Sequence, residues 1–246
     1  MCPAPRTLHR MMAALAVTSL LWTAPGAASP AGDKKNNPAV RWDERAPGCT
    51  FSRSPDGKLR YGLWSGDLGI TLAVDEQELE KVRRRHEPFF AVLLELRDRG
   101  QQSLDLNAHN ISLEFVKHFQ VEQTALDPDE FTRKIQGDAD ALNRQTAREV
   151  KKDPVKNAEK EAYLRAYLKD SAELQEFVGK DSLRAAHLDA GNPQVSGWVL
   201  FSTKNKWIGG WKTPEEFILR VPMNGKVFEF PFTLPPKGGE KLLRRR

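Results

Sequence analysis

"FILRVPMNGKVFEFPFTL", residues 217–234, breaks at Asn224-Gly225 into two runs of alternating character. In the second run Phe228, Phe230, Phe232 and Leu234 occupy every other position, with Glu229 and Pro231 between them. A period of two places the apolar side chains on one face of a strand and leaves the other face wetter. Asn-Gly accepts positive φ, so "MNG" at 223–225 reads as the turn of a hairpin. The decisive local pattern is therefore antiparallel β.

The same period recurs upstream. "LRYGLWS" puts Leu59, Tyr61 and Leu63 on one face, and "LGITLAV" does so with Leu68, Ile70, Leu72 and Val74. "ISLEFVKHFQV" aligns Ile111, Leu113, Phe115, Phe119 and Val121, with Lys117 as its one interruption. Two segments differ. In "PFFAVLLEL" both Phe90, Val92, Leu94 and Leu96 and the opposite Phe89, Ala91 and Leu93 are apolar. "VSGWVLFST" has Val199 and Phe201 on one side, Trp198 and Leu200 on the other. A strand apolar on both faces needs cover on both.

Residues 127–187 supply a candidate cover. Asp127-Pro128 and Asp153-Pro154 each place a capping acid before proline at the first helical position. Phe131, Ile135, Ala139, Leu142 and Val150 then recur at helical spacing. In the second segment Ala158, Ala162, Leu164, Tyr167, Leu168, Leu174, Phe177 and Val178 do the same. This predicts a helical hairpin inserted between strands, turning near "KKDP". Without it, residues 49–121 and 188–234 hold about eight strands, the size of an immunoglobulin-like sandwich. The expected fold is mainly β: an immunoglobulin-like antiparallel β-sandwich with an inserted α-helical hairpin, an α+β arrangement. Closure into a β-barrel is the alternative.

The N-terminus reads as an export signal. Arg6, His9 and Arg10 precede the apolar run MMAALAVTSLLW, too short for a comfortable membrane span, and the small residues "APGAAS" follow. Residues 1–28 are thus expected to be a signal peptide, residues 29–48 a flexible lead rich in Pro, Gly and charge, and residues 237–246 a basic tail. The domain proper is expected over residues 49–236. Cys2 lies before the apolar run, which does not fit a lipid-anchoring cysteine at the cleavage site. Processing leaves 36 basic against 33 acidic side chains, and Lys241, Arg244, Arg245 and Arg246 supply more than that excess. The folded body is close to neutral, so the charge gives no argument for nucleic acid, which needs a basic face on the domain. Cys49 alone survives processing, so no internal disulfide is available. Its alternation with Phe51 suggests a buried, unpaired thiol.

Chemistry-bearing patterns are sparse. His86, His109, His118 and His187 show no metal-ligand helical spacing, and no Cys-x-x-Cys or His-Glu-x-x-His occurs. His187 is expected to end the helical region, where a cation suits the helix dipole. Ser65 beside Asp67 in "WSGDLG" reads as turn chemistry. No nucleophile elbow or phosphate loop is present, so no cofactor, metal or catalytic residue is assigned. Trp207 and Trp211, in "TKNKWIGGWKTPEE", are the candidate ligand-binding residues. Exposed aromatics on such a loop stack on sugar rings. The competing reading folds the loop back so that both close the open end of the core. Trp198, on a strand apolar on both faces, is expected to pack beneath the helical hairpin.

"LDAGNPQVSGWVLFST", followed by "FILRVPMNGKVFEFPF", resembles the closing half of a bacterial extracytoplasmic immunoglobulin-like family. "FFAVLLELRDRG" running into "SLDLNAHNISLEF" is similar to an earlier strand of that family, with Arg97-Asp98-Arg99-Gly100 where the pattern has Asn. The resemblance spans about half the chain and implies a non-catalytic exported domain, with no catalytic residue to carry over. The expected function is thus an exported binding or structural envelope protein, periplasmic or secreted, its partner a protein or envelope component. A carbohydrate-binding domain using Trp207 and Trp211, with a glycan ligand, is second. A hydrolase or metalloenzyme ranks last.

Overall fold

The computed structural model describes residues 37–74, 89–100, 103–117, 121–152, 157–202 and 215–234. Two five-stranded sheets share one apolar core. The first contains β2 (Cys49–Arg53), β3 (Leu59–Ser65), β4 (Leu68–Val74), β5 (Phe89–Asp98) and β10 (Gln194–Ser202), in the order β10-β5-β4-β3-β2. The second contains β1 (Ala39–Arg41), β7 (Ser112–Phe115), β8 (Val121–Thr124), β11 (Glu215–Met223) and β12 (Lys226–Leu234), in the order β1-β12-β11-β7-β8. All pairings within them are antiparallel except β1 with β12. A two-stranded ribbon joins β6 (Leu104–Leu106) to β9 (Ala186–Leu188). Two helices, α1 (Pro128–Lys152) and α2 (Asn157–Asp181), lie between β8 and β9 in the chain.

Alternation fixes the register. Phe228, Phe230, Phe232 and Leu234 face inward from β12 opposite Val221, Leu219, Phe217 and Glu215 of β11. Asn224 and Gly225 join these strands with φ of 50° and 68°, both in the left-handed region a two-residue hairpin turn demands. From the first sheet Ile70, Leu72, Phe90, Leu94 and Leu96 meet them, all buried. Phe217 sits at the junction, its ring 6.2 Å from Phe90, 5.3 Å from Phe232 and 5.4 Å from Phe115. The sheets remain separate ladders bridged at their corners. Leu126 N–H donates to the Leu200 carbonyl at 2.8 Å across one corner. Across the other, Trp42 donates its backbone N–H to Glu229 and its Nε1–H to the Thr50 carbonyl.

Several expectations need correction. The loose lead of residues 29–48 contains β1, and Trp42 packs edge-on against Tyr61 at 5.0 Å; residues 29–36 lie outside the described residues. Residues 111–121 do not form one strand. β7 ends at Phe115 and β8 begins at Val121, antiparallel to it, with Val116 and Lys117 exposed between them. The interrupting Lys117 therefore marks a reversal. Cys49 is half-buried and makes no disulfide, while Phe51 is 45% exposed because β2 is the edge strand. His187 belongs to β9, beyond the helix that ends at Asp181. The signal peptide, the tail at 237–246, His86 and His118 lie outside the described residues.

The outer face of the second sheet carries its charges in a row. Arg41, Glu229, Arg220, Ser112 and Thr124 are successive cross-strand partners over all five strands. Arg220 pairs with Glu114, donates to Glu229 at 3.0 Å and lies 3.7 Å from Glu122. Desolvation pushes the guanidinium pKa down, but its hydrogen bonds to Glu229 and Glu114 more than offset this and hold it raised. The Glu114 side chain keeps only 6% of its exposure, against 27% for Arg220, so the carboxylate depends on that one cation. Removing one partner of a buried pair strands the other charge. Arg220→Met is expected to lower stability by about 2–3 kcal/mol, less than for a fully dry pair because the arginine is partly solvated. Adding Glu114→Gln should recover more than half of that loss in urea unfolding.

Candidate functional site

The helical segment is built on the two strands that are apolar on both faces. Phe89 and Ala91 of β5 and Leu200 of β10, with Trp198 half-buried beside them, turn away from the inter-sheet core. Phe131 and Ile135 of α1 and Leu174 and Val178 of α2 cover them, with Leu126 and Phe177 at the margin. The Phe89 and Phe131 rings meet edge-on at 5.6 Å, and Phe177 and Trp198 lie 6.0 Å apart. This second cluster borders β5 and β10 on the side opposite the main core. Trp198 thus packs beneath the helices, as its two-sided strand required.

Backbone contacts tie both ends of the segment to β10. Leu126 N–H, just before α1, donates to Leu200, and Leu183 N–H, just after α2, donates to Trp198 at 2.8 Å. The Asp127 carboxylate caps α1 by accepting the N–H of Asp129 at 2.7 Å and of Glu130 at 3.0 Å. Those bonds, the Glu130 one first, hold its pKa below the usual carboxylate value. Arg184 grips both oxygens of Asp129, at 2.8 and 3.0 Å, across the two helix ends. The first capping signal is thereby located. The second, Asp153-Pro154, lies outside the described residues, and α2 is described from Asn157.

Each helix has 25 residues, about 37 Å at 1.5 Å per residue. The helix residues in the cluster on the strands come from the first two turns of α1 and the last two of α2. Beyond them the helices pair with each other. The inward positions of α2 are Leu164, Tyr167, Ser171, Leu174 and Val178, spaced by three and four residues. Ile135, Ala139, Leu142 and Thr146 of α1 follow the same spacing, which marks a coiled-coil seam. Gln175 Nε2 donates to Gln136 at 3.1 Å near the base, and Lys160 meets Glu149 at 3.0 Å near the far end. The expected apolar face of α2 shifts accordingly. Ala158, Ala162 and Leu168 are exposed, while Ser171, absent from any hydrophobic pattern, is buried and donates to the Tyr167 carbonyl. Tyr163 and Leu168 stand 48% and 38% exposed on this arm.

The ribbon that follows the arm carries a titratable pair. His187 and Asp105 are direct cross-strand partners, and Nδ1–H donates to Asp105 Oδ1 at 2.7 Å because a carboxylate only accepts. Asp189 lies 3.9 Å from Nε2. The Asp105 hydrogen bond raises the His187 pKa above 6.5, with both aspartates adding attraction and slight desolvation opposing them. Trp207 and Trp211, the residues expected to bind a ligand, lie outside the described residues.

Two measurements probe this region. A Cβ on Gly197 of β10 would lie 2.6 Å from Leu183 N and 2.7 Å from its Cα, where backbone must move. Gly197→Ala should cost about 1–3 kcal/mol, the range for overpacking, and should increase proteolysis at the arm's base. For His187 the folded pKa is the raised one, so its contribution is complete below about pH 6.5 and is lost as pH rises through the folded value. Its NMR titration midpoint should exceed 6.5 and fall towards that value in Asp105→Asn. Compared with protein-family models, curated proteins and solved structures, the chain matches none.

Proposed function

We propose that this chain is an exported, non-catalytic binding or structural component of the cell envelope, periplasmic or secreted, that contacts its partner through the helical arm. The carrying observation is the arm itself. Only its base packs on β5 and β10, while Tyr163 and Leu168 remain exposed along the paired helices. A body needing only cover for two strands is served by the basal turns, so the rest of each helix is spare for contact. Support for export comes from the basic, apolar and small-residue succession over residues 1–28. No helix among the described residues is long and apolar enough to cross a membrane.

The immunoglobulin-like description of the body belongs to the same proposal. Two facing five-stranded sheets, antiparallel apart from the β1–β12 pairing, support it. The placement of β2, β3, β4 and β5 as successive neighbours in one sheet departs from the immunoglobulin pattern, in which successive strands change sheets early. The glycan reading stays attached to Trp207 and Trp211 and to nothing in the arm.

A photo-crosslinking residue at Leu168, introduced in the native host, should yield one discrete adduct whose identity is an envelope component. The same residue at Ser52, on the exposed edge strand, should not. Equal adduct patterns at the two positions, or none at Leu168, would remove the arm from the function.

A further inference from the structure

Five cations of the helical segment are ion-paired. Lys160 meets Glu149, Arg165 meets Glu161, Lys169 meets Glu173, Lys180 meets Glu176 and Arg184 meets Asp129. Arg144, Arg148 and Lys151 are different. They are exposed at positions i, i+4 and i+7 of α1, and among the described residues none of them meets a carboxylate. This spacing aligns them on one face of the helix, in a line about 10 Å long. The line lies on the part of α1 beyond the turns that pack on the strands.

We infer that this line is an adsorption face for a bilayer bearing anionic phospholipid headgroups. The occupant is chosen by what the face contains. Three cations, none of them ion-paired among the described residues, complement a negative surface, and they sit on a rigid helix where all three can meet one plane. Ala141, Ala147 and, one turn before Arg144, the Asp140 carboxylate that accepts from Gln136 are the exposed neighbours of this face, so nothing large enough to insert into the hydrocarbon accompanies the charges. The contact is therefore superficial and salt-sensitive, each cation contributing roughly a fivefold gain in partitioning. Nucleic acid fits less well, because no aromatic on this face offers bases a stacking platform. The inference rests on the arm being the binding element and names the surface to which one of its faces turns.

The test is co-sedimentation of the full chain with phosphatidylglycerol–phosphatidylcholine vesicles and with pure phosphatidylcholine vesicles, at low and high salt. The chain should partition onto the anionic vesicles only, and salt should release it. R144Q/R148Q/K151Q, with helicity verified by circular dichroism, should lose roughly a hundredfold in partitioning, the product of three fivefold steps. Three results overturn the inference: equal partitioning of the variant, equal partitioning onto neutral vesicles, or duplex DNA binding that outcompetes the vesicles and disappears in the variant. A Leu168 adduct that persists while the vesicle result fails removes this face alone and leaves the arm's binding role standing.

Discussion

The burial of β5 and β10 from both sides organises the rest of the molecule. One face of each strand enters the core between the sheets, where Phe90, Val92, Val199 and Phe201 contact the opposite sheet. The other face, through Phe89, Ala91 and Leu200, is as apolar and needs its own cover. Left bare it would form a contiguous hydrophobic patch of the kind soluble monomers seldom expose. The helical segment is thus part of the body's packing at its base, whatever its outer turns do. It also explains why both ends of the segment bond to β10: the cover is stitched to the strand it covers.

Two kinds of stabilisation divide the sheets. The first sheet gains helices on its outer face over β5 and β10. The second has no helix over its charged row among the described residues and relies on Arg220 to bind carboxylates from β7, β8 and β12. A buried ion network is weak as a source of net stability but costly to break. Its geometric effect is to fix the relative register of β7, β8, β11 and β12, since one guanidinium must reach Glu114, Glu122 and Glu229 together. The hydrophobic alternation on the inner face sets the same register, so the two faces agree.

Much of this was legible in the sequence where the pattern was long. β3, β4, β11 and β12 follow from strict alternation, and the Asn224-Gly225 turn from its φ requirement. The need for cover followed from two strands lacking a polar face. Short elements were not legible: β1, β6 and β9 have three residues each and owe their existence to remote partners. The split between β7 and β8 was masked because Phe119 and Val121 continued the alternation past the turn. Hydrophobicity also misplaced part of the arm, because its seam uses Thr146 and Ser171, polar residues that no apolar pattern marks. Glu114 read as a wet position, since alternation registers only the side chain and not the arginine that covers it. The candidate site fared less well: Trp207 and Trp211 drew attention by composition, whereas the arm's unpaired cations emerge only when ion pairs can be traced.

The paired helices leave β10 and return to it two residues apart along that strand, at Leu200 and Trp198. Such an appendage behaves as a ruler. Deleting one seven-residue repeat from each helix shortens its reach by about 10 Å while preserving the seam's phase. The closure geometry at β10 does not change, and loop-closure entropy varies only slowly with the length removed. Reach can therefore be adjusted in discrete steps without repacking either sheet, which separates how far this protein extends from how well it folds.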